Sequence, residues 1–207
     1  RAIAWGDSGV DDYGRFPNRA FRASSDPVTF TSVPGEHLID YSPPGSDQSL
    51  EDFLASRYST AFVVLHGDDL LYESYFNGSS HESIQTSFSV AKSFTAALVG
   101  AAIEEGFISS LDDPLTKYLP ELAERDERFQ AITLRHLITM SSGIAFRDGS
   151  SPWADPANTY YGVDLRSAAL IETAIEVAPG QEFHYNDWNL ILFGLVLERA
   201  TGMSVSD

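Results

Sequence analysis

The sequence predicts an α+β fold, in which an antiparallel sheet is flanked by helices and accompanied by an all-helical region. The apolar run 61–65, a Gly-Asp-Asp turn and the alternation over 71–75 form the pattern of two antiparallel strands. After residue 107 the strand pattern nearly disappears, and short helices with recognisable start and stop residues follow. Because two strands are too few for a stable sheet, we expect the C-terminal strands of the sheet to be missing from this chain.

Composition divides the chain into three segments. Residues 1–48 are rich in Gly, Pro, Ser and Asp without a helical or strand period, which is typical of an extended arm. Residues 49–106 hold a short amphipathic helix, the hairpin and a helix ended by Gly106, and we expect them to be the N-terminal part of the α/β domain. That last helix has apolar residues all round, which predicts a central helix packed on several sides. Residues 107–207 are predicted to form a helical domain.

Charge and composition exclude several functions. The formal net charge is -17, whereas phosphate binding needs clustered cations, so nucleic acid is not expected as a partner. The absence of cysteine excludes thiolate sites, and the five histidines have no ligand spacing, so neither a metal nor a cofactor is expected. No apolar run reaches the roughly 18 residues of a membrane span. The compartment stays open, with the periplasm or secretion ranked before the cytoplasm.

A serine and a lysine share the first turn of an otherwise apolar helix. Ser89 and Lys92 are three positions apart, which places their side chains on one face with Cβ atoms roughly 5 to 6 Å apart. A serine needs a base to act as a nucleophile, and burial lowers the pKa of a lysine enough to leave its amine uncharged. Backbone N–H groups at the helix start would face an oxyanion formed there. The alternative is that Ser89 caps the helix and Lys92 extends into solvent.

Tyr185 lies at a predicted strand-to-helix corner, between the turn Pro179-Gly180 and the helix that follows from Trp188. Corners of this kind present side chains into clefts. A tyrosine beside a lysine can carry a proton between a serine and a leaving group. The alternative is a half-buried aromatic side chain whose hydroxyl meets a backbone carbonyl.

Three aromatic residues lie in the long loop predicted over residues 141–163, namely Trp153, Tyr160 and Tyr161. They are candidates to line a pocket for an apolar acyl or amide group. Packing of the same side chains on the helical region is the equally ranked alternative. The chain has no Gly-x-Ser-x-Gly, so the nucleophile elbow of the α/β-hydrolases is not supported.

Three blocks of the sequence together resemble one superfamily; they read SFSVAKSFTAALVGAAIEEGFISSLDDPLTKYLPEL, ITLRHLITMSSGI and PGQEFHYNDWNLILFGLVLERATG. In order and spacing they are similar to the serine β-lactamases, penicillin-binding proteins and family VIII esterases, on the class C side, over roughly residues 58–207. The resemblance implies that Ser89 is the acylated nucleophile, Lys92 its partner base and Tyr185 the tyrosine of the Tyr-x-Asn motif. It also implies that the site lies where the sheet with its flanking helices meets the all-helical region.

Two departures from the superfamily pattern affect the prediction. Its third motif, Lys-Thr-Gly or His-x-Gly on a sheet strand, has no counterpart before this chain ends, so we expect a C-terminal polypeptide as a partner that completes the sheet. Asp187 stands where the superfamily usually has Asn, at a position that contacts both Lys92 and the substrate. A carboxylate there would hold Lys92 more strongly protonated, which weakens a β-lactamase assignment.

The leading hypothesis is a serine hydrolase that cleaves a small-molecule ester or amide through an acyl-enzyme on Ser89. In it Lys92 accepts the serine proton and Tyr185 passes it to the leaving group. An esterase or amidase ranks above a β-lactamase or a DD-peptidase because of Asp187. The alternative from a different class is a non-catalytic binding module or a pseudoenzyme fragment of the same fold.

Overall fold

The chain forms two compact units, Arg1–Asp12 with Thr86–Asp207 and, separately, Tyr13–Gln85. They are seen in a computed structural model, which describes residues 2–6, 8–21, 23–33 and 41–206. The sequence-based division, which joins the nucleophile helix to the hairpin over residues 49–106, stays a prediction. In the structure the nucleophile helix belongs to the larger unit.

The smaller unit is built on a mixed three-stranded sheet with the order β1-β3-β2. Strands β2 (Ala61–His66) and β3 (Asp69–Tyr75) form the predicted antiparallel hairpin, with a register shift after Val64. Strand β1 (Thr31–Ser32) pairs with β3 in parallel. The hairpin is therefore confirmed. The sequence did not predict β1, because a strand of two residues has no alternation to detect.

Helices outnumber strands in the described chain. The arm predicted over residues 1–48 is not wholly extended, because it contains a helix and a 3-10 turn besides β1. Ser49 caps the second helix as predicted, accepting a hydrogen bond from the N–H of Asp52 at 3.1 Å. The 3-10 turns are Val10–Arg15, Phe88–Val90, Leu115–Lys117 and Glu127–Ala131. The α-helices are α1 (Ala2–Trp5), α2 (Leu50–Ser56), α3 (Ala91–Glu104), α4 (Pro120–Arg125), α5 (Leu134–Ile138), α6 (Asp155–Tyr161), α7 (Leu165–Ile171) and α8 (Asp187–Thr201).

The core of the larger unit is arranged around α8. Leu192, Phe193 and Val196 are fully buried there, and α8 packs against α3, α5 and α7. The helix begins directly after Asn186, whose side chain accepts a hydrogen bond from the N–H of Trp188 at 2.9 Å. This firm packing gives the start of α8 a fixed position. No helix in the described part of the chain is long and apolar enough to cross a membrane.

Helix α3 is packed on one side only. Val99 and Ala102 are its buried residues, whereas Val90 just before it is 61% exposed, Phe94 is 68% exposed and Leu98 is 42% exposed. The prediction of a central helix packed on several sides is therefore wrong for this chain. The reason is that α8 covers one face of α3 within the larger unit, and the apolar side chains on its other faces stay exposed.

Candidate active site

Ser89 lies in the 3-10 turn Phe88–Val90, which leads directly into α3. Phe88 has a φ of 46°, in the left-handed region that residues other than glycine seldom adopt. The turn leaves the Ser89 side chain exposed at the start of a 14-residue helix. The first N–H groups of a helix have no partner within the helix, and the helix dipole is positive at this end. Negative charge near Ser89 is stabilised by that end of α3.

Two side chains donate hydrogen bonds to the hydroxyl oxygen of Ser89. Lys92 Nζ lies 3.1 Å from Ser89 Oγ, and the hydroxyl of Tyr185 lies 2.6 Å from it. Lys92 Nζ also lies 5.1 Å from the centroid of the Tyr185 ring. The structure thus brings together three predicted residues from two elements that are far apart in the sequence. The distances are those of a nucleophile and its acid-base partners.

The corner that carries Tyr185 is fixed by its neighbour Asn186. Asn186 is 1% exposed, and its side-chain amide donates to the carbonyl of Ile144 at 2.8 Å. On the other side, the N–H of His184 donates to the carbonyl of Met140 at 2.8 Å. The backbone on both sides of Tyr185 is therefore held, while the tyrosine itself is 44% exposed and faces Ser89.

Asp187, the first residue of α8, forms an ion pair with Lys92. The distance between Lys92 Nζ and Asp187 Oδ1 is 2.7 Å, and Thr159 donates its hydroxyl to Asp187 Oδ2 at 3.2 Å. Burial alone lowers the pKa of Lys92, but hydrogen bonds to Asp187 and Tyr185 and their charges outweigh it and raise the pKa above its ordinary value. Lys92 is therefore an ammonium at neutral pH. The amine is therefore not uncharged, as burial alone would make it. The upward shift of the Lys92 pKa is the one expected from a carboxylate at position 187.

A cavity of about 520 Å³ opens beside Ser89, and Lys92, Tyr160 and Asp187 contribute to its walls. The ring of Tyr160 stacks on Phe88, with centroids 5.8 Å apart and an angle of 19° between the planes. Burial and the hydrogen bond to Asp12 raise the pKa of Tyr160 to about 12, so it is neutral at physiological pH. Tyr160 is thus placed against the residue that precedes the nucleophile.

The other two aromatic candidates lie away from Ser89. Tyr161 donates its hydroxyl to the carbonyl of Gly6 at 2.8 Å and lines adjoining cavities, not the one that contains Ser89. Trp153 is 73% exposed and lines a separate cavity of about 220 Å³. Of the three, the structure brings Tyr160 alone to the cavity with Ser89.

Sequence reasoning missed two parts of the site. The first is helix α6 with Thr159, in a region predicted to be a loop that holds the candidate Tyr160; the Asp155-Pro156 pair that starts this helix is the signal that could have found it. The N-terminal residues Ser8 and Asp12 also lie at the site, Ser8 in the cavity wall and Asp12 behind Tyr160. Nothing in their local sequence pattern indicates this position.

The described residues offer no metal site, since no group of three or more His, Asp and Glu side chains among them is placed to hold an ion. His184, the histidine next to Tyr185 in sequence, pairs instead with Asp148 at 3.0 Å and packs edge-on against Phe146. The chemistry that the arrangement can perform therefore rests on Ser89, Lys92, Tyr185 and Asp187.

Several known proteins are similar to this chain in sequence or in structure. A 6-aminohexanoate-dimer hydrolase of Paenarthrobacter ureafaciens is 29% identical over 170 residues, which cover 74% of this chain and 41% of that protein. A solved structure named "Putative 6-aminohexanoate-dimer hydrolase from Bacillus anthracis" is similar with a TM-score of 0.64 and 26% identity, over 79% of this chain and 45% of that one. The chain therefore spans less than half the length of these relatives.

The fold is also that of a penicillin-binding protein from Bacillus halodurans, with a TM-score of 0.51 at 23% identity over 70% of this chain and 47% of that one. The predicted α+β fold of the β-lactamase and transpeptidase type is confirmed by these similarities. Residues 47–207 match the family model described as Beta-lactamase. Because this match covers well over half of the sequence, the chain belongs to the beta-lactamase family, within a superfamily of serine hydrolases.

Proposed function

We propose that the protein cleaves an ester or amide bond of a small molecule through an acyl-enzyme on Ser89. The observation that carries the proposal is the convergence of Lys92 Nζ, at 3.1 Å, and the Tyr185 hydroxyl, at 2.6 Å, on Ser89 Oγ. A serine exposed at a helix start and bonded to two acid-base groups has the arrangement of an activated nucleophile. The names of the relatives, which describe hydrolases, support the same reaction class.

In the first half of the reaction, Ser89 Oγ attacks the carbonyl carbon of the substrate and its proton passes to the oxygen of Tyr185, which releases its own hydroxyl proton toward the leaving group. The negative charge on the carbonyl oxygen is stabilised by N–H groups at the start of α3. The bond to the leaving alcohol or amine then breaks, and the leaving group takes the proton from Tyr185. In the second half, water attacks the acyl carbon and gives a proton to Tyr185, which returns it to Ser89 as the acid leaves.

Lys92 has a different role in this mechanism from the one that the sequence predicts. Its raised pKa leaves no free lone pair at neutral pH, so it does not accept the serine proton. Its ammonium instead lies 5.1 Å from the centroid of the Tyr185 ring and stabilises negative charge that develops there during proton transfer. The proton of Ser89 is then relayed through the Tyr185 hydroxyl, which lies 2.6 Å from Ser89 Oγ.

Among substrate classes, an ester or an open-chain amide ranks above a β-lactam or a peptidoglycan peptide. Asp187 holds Lys92 at 2.7 Å, but its carboxylate has no N–H to donate to a substrate carbonyl, as an asparagine would have. A carboxylate also repels the anionic carboxylate that β-lactams carry. We expect nitrophenyl butyrate to be hydrolysed faster than a chromogenic cephalosporin, and the reverse order would overturn this ranking.

A further polypeptide completes the enzyme in this proposal, adding strands to the sheet and covering α3. The support is the row of exposed apolar side chains at Val90, Phe94 and Leu98, because a soluble protein seldom exposes such a row without a partner. The length of the relatives, of which this chain spans 41% and 45%, supports it as well. Co-purification of a second polypeptide with the chain would be the expected result, and full activity of the 207 residues alone would contradict it.

One observation favours a non-catalytic binding module instead. The Lys92–Asp187 ion pair closes part of the site and keeps the lysine charged, as would suit a pseudoenzyme that holds a ligand without turning it over. The two functions differ in whether Ser89 is nucleophilic.

The deciding experiment is an intact-mass spectrum after incubation with a fluorophosphonate, whose phosphorus a nucleophilic serine attacks with loss of fluoride. We expect one adduct on the wild-type protein, none on Ser89→Ala, and one on Ser93→Ala, which changes an exposed serine on the same helix. Absence of an adduct on the wild type would favour the binding module. An adduct that persists on Ser89→Ala would overturn the assignment of the nucleophile.

A further inference from the structure

The N-terminal segment, defined as Gly6 with residues 8–12, is attached to the wall of the candidate site. The carboxylate of Asp12 is 3% exposed and accepts hydrogen bonds from the Tyr160 hydroxyl and the N–H of Gly9, both at 3.0 Å. Tyr160 in turn stacks on Phe88 beside the nucleophile. A buried carboxylate so bonded fixes both the segment and the ring.

Two further hydrogen bonds hold the same segment at Gly6 and at Val10. The carbonyl of Gly6 accepts from the Tyr161 hydroxyl at 2.8 Å, and the carbonyl of Val10 accepts from the N–H of Thr86 at 2.7 Å. Thr86 is three residues before Ser89 and lines its cavity. The segment therefore runs between α6 on one side and the nucleophile turn on the other.

A groove leads away from Ser89 between this segment and α6. The cavity of about 520 Å³ at Ser89 adjoins a second of about 290 Å³, and Ser8, Pro156 and Tyr160 line both. A third cavity of about 220 Å³ continues from the second and shares Tyr161 with it. Helix α6, which forms one wall, has seven residues and is therefore about 10 Å long. A chain of several carbon atoms fits along such a groove.

The side chains along the groove are mainly hydroxyl groups, aromatic and proline rings and, beside Ser89, the aliphatic side chains of Leu190 and Ile191. Of the described residues that line the two larger cavities, Lys92 and Asp187 carry charges, and these two form an ion pair with each other. The protein as a whole has a formal charge of -17, which disfavours an anionic ligand. The groove is suited to an uncharged chain.

On these grounds, and resting on the proposed function for its orientation toward Ser89, we propose that this groove binds the acyl chain of the substrate. The substrate is then an ester or amide of an elongated, uncharged acyl group, not of acetate. Ser8 determines the length that is accepted, because its small side chain lies where the first two cavities meet. A large side chain at position 8 closes the groove and leaves the Ser89 cavity open.

The test measures binding of two amides, N-methylacetamide and N-methyloctanamide, by calorimetry on the full chain, with Ser89→Ala measured beside the wild-type protein so that binding is read without cleavage. Each methylene group moved from water into apolar contact favours binding several-fold, so we expect the octanamide to bind at least about tenfold more tightly. Ser8→Trp should remove this preference. Ala157→Trp, which fills the second cavity from the side of α6, should do the same. Ser25→Trp, the same change at an exposed serine of the smaller unit, should keep it.

Equal affinity of the wild-type protein for the two amides would overturn the proposal that the groove binds the acyl chain. An unchanged preference for the octanamide in both Ser8→Trp and Ala157→Trp would overturn it as well. An amide of the same length that ends in a carboxylate should bind more weakly, and equal binding would contradict the uncharged chain. These measurements need no turnover, so a chain-length preference without a fluorophosphonate adduct would support the groove and contradict the proposed function. A fluorophosphonate adduct without a chain-length preference would support the proposed function and contradict the groove.

Discussion

Lys92 Nζ lies 2.7 Å from Asp187 Oδ1 and 3.1 Å from Ser89 Oγ, so one ammonium joins Ser89 to the first residue of α8. The ion pair decides the protonation state of the site, because it raises the pKa of Lys92 against the effect of burial. In the proposed mechanism, a lysine that stays charged serves as a fixed positive charge, and Tyr185 transfers the proton. The protonation of Lys92 can be measured directly.

Asp187→Asn should lower the pKa of Lys92, because it removes the carboxylate but keeps a side chain of the same shape. The sequence contains two lysines, Lys92 and Lys117, so a protein with ¹³C-labelled lysine gives two resolvable side-chain titrations by NMR. We expect the Lys92 titration to move to lower pH in Asp187→Asn, while that of Lys117 stays. An unmoved Lys92 titration would show that the ion pair does not set its charge.

The matched control is Asp113→Asn, because Asp113 forms the corresponding pair with Lys117 at 2.9 Å and raises its pKa. This variant should move the Lys117 titration alone. A raised folded-state pKa means that the Lys92 pair stabilises the fold below the ordinary lysine pKa of about 10.4. That stabilisation is lost as the pH rises through the higher folded-state value, so wild type and Asp187→Asn should converge in stability at strongly alkaline pH.

Tyr185→Phe should lower the rate of Ser89 acylation by about 10²- to 10⁴-fold, the usual contribution of a positioned acid-base group. The ring is kept, so the fold should be unchanged. Tyr13→Phe is the matched control, because Tyr13 and Tyr185 are both 44% exposed and Tyr13 belongs to the smaller unit. Second-order labelling rates with a fluorophosphonate make the comparison. A labelling rate for Tyr185→Phe within about twofold of the control would mean that Lys92, and not Tyr185, accepts the proton of Ser89.

Elements with a strong period or cap were predictable from the sequence, and elements fixed by distant contacts were not. The hairpin of β2 and β3 has an alternating pattern and a glycine turn, and α2 has a serine cap, so each could be identified locally. Strand β1 has two residues and exists because β3 offers it hydrogen-bonding partners. The one-sided packing of α3 could not be predicted either, because an apolar sequence does not say how many neighbours will cover it.

The same distinction holds at the candidate site. Ser89 and Lys92 are near each other by helix geometry alone, and the corner at Tyr185 was recognisable from its flanking turn and helix. That Tyr185 would contact Ser89 and Lys92, more than ninety residues away in sequence, was predicted from the family resemblance alone. The contribution of Asp12 could not be predicted, because it depends on a tertiary hydrogen bond to Tyr160, 148 residues away.

Asp113 should make the wild-type protein lose stability in acid. Hydrogen bonds from Lys117 and Tyr118 lower the pKa of Asp113 to about 2. A lowered folded-state pKa contributes stability above the ordinary aspartate value of about 3.9, and this is lost as the pH falls through 2. We expect the free energy of unfolding of wild type to exceed that of Asp113→Asn by about 1 kcal/mol at pH 6, after allowance for solvent screening, and this difference to close as the pH falls below about 2. Urea titrations of both proteins at pH 6 and in acid measure the difference in free energy of unfolding. A difference that does not close in acid would show that the ionisation of Asp113 is not its source.

Gly143 should be the least replaceable glycine of the larger unit, because it combines a left-handed backbone with a close contact. Its φ is 74°, and a Cβ atom there would clash with the backbone carbonyl of Val177. Its own carbonyl accepts hydrogen bonds from the N–H groups of Glu176 and Val177 at 2.9 and 3.3 Å, so neither chain can withdraw without losing them. The next residue, Ile144, accepts the Asn186 hydrogen bond that fixes the Tyr185 corner.

We therefore expect Gly143→Ala to lower the free energy of unfolding by more than about 3 kcal/mol, the sum of backbone strain and a forced displacement of the neighbouring strand-like segment. Gly202→Ala is the control, because its φ is 71° and no atom lies within 4 Å of the added Cβ, so it carries the strain of about 1 kcal/mol alone. Urea unfolding of both variants measures the difference. Equal losses would mean that the segment around Val177 moves aside at no cost, in which case Gly143→Ala should slow the labelling of Ser89 by displacing Tyr185.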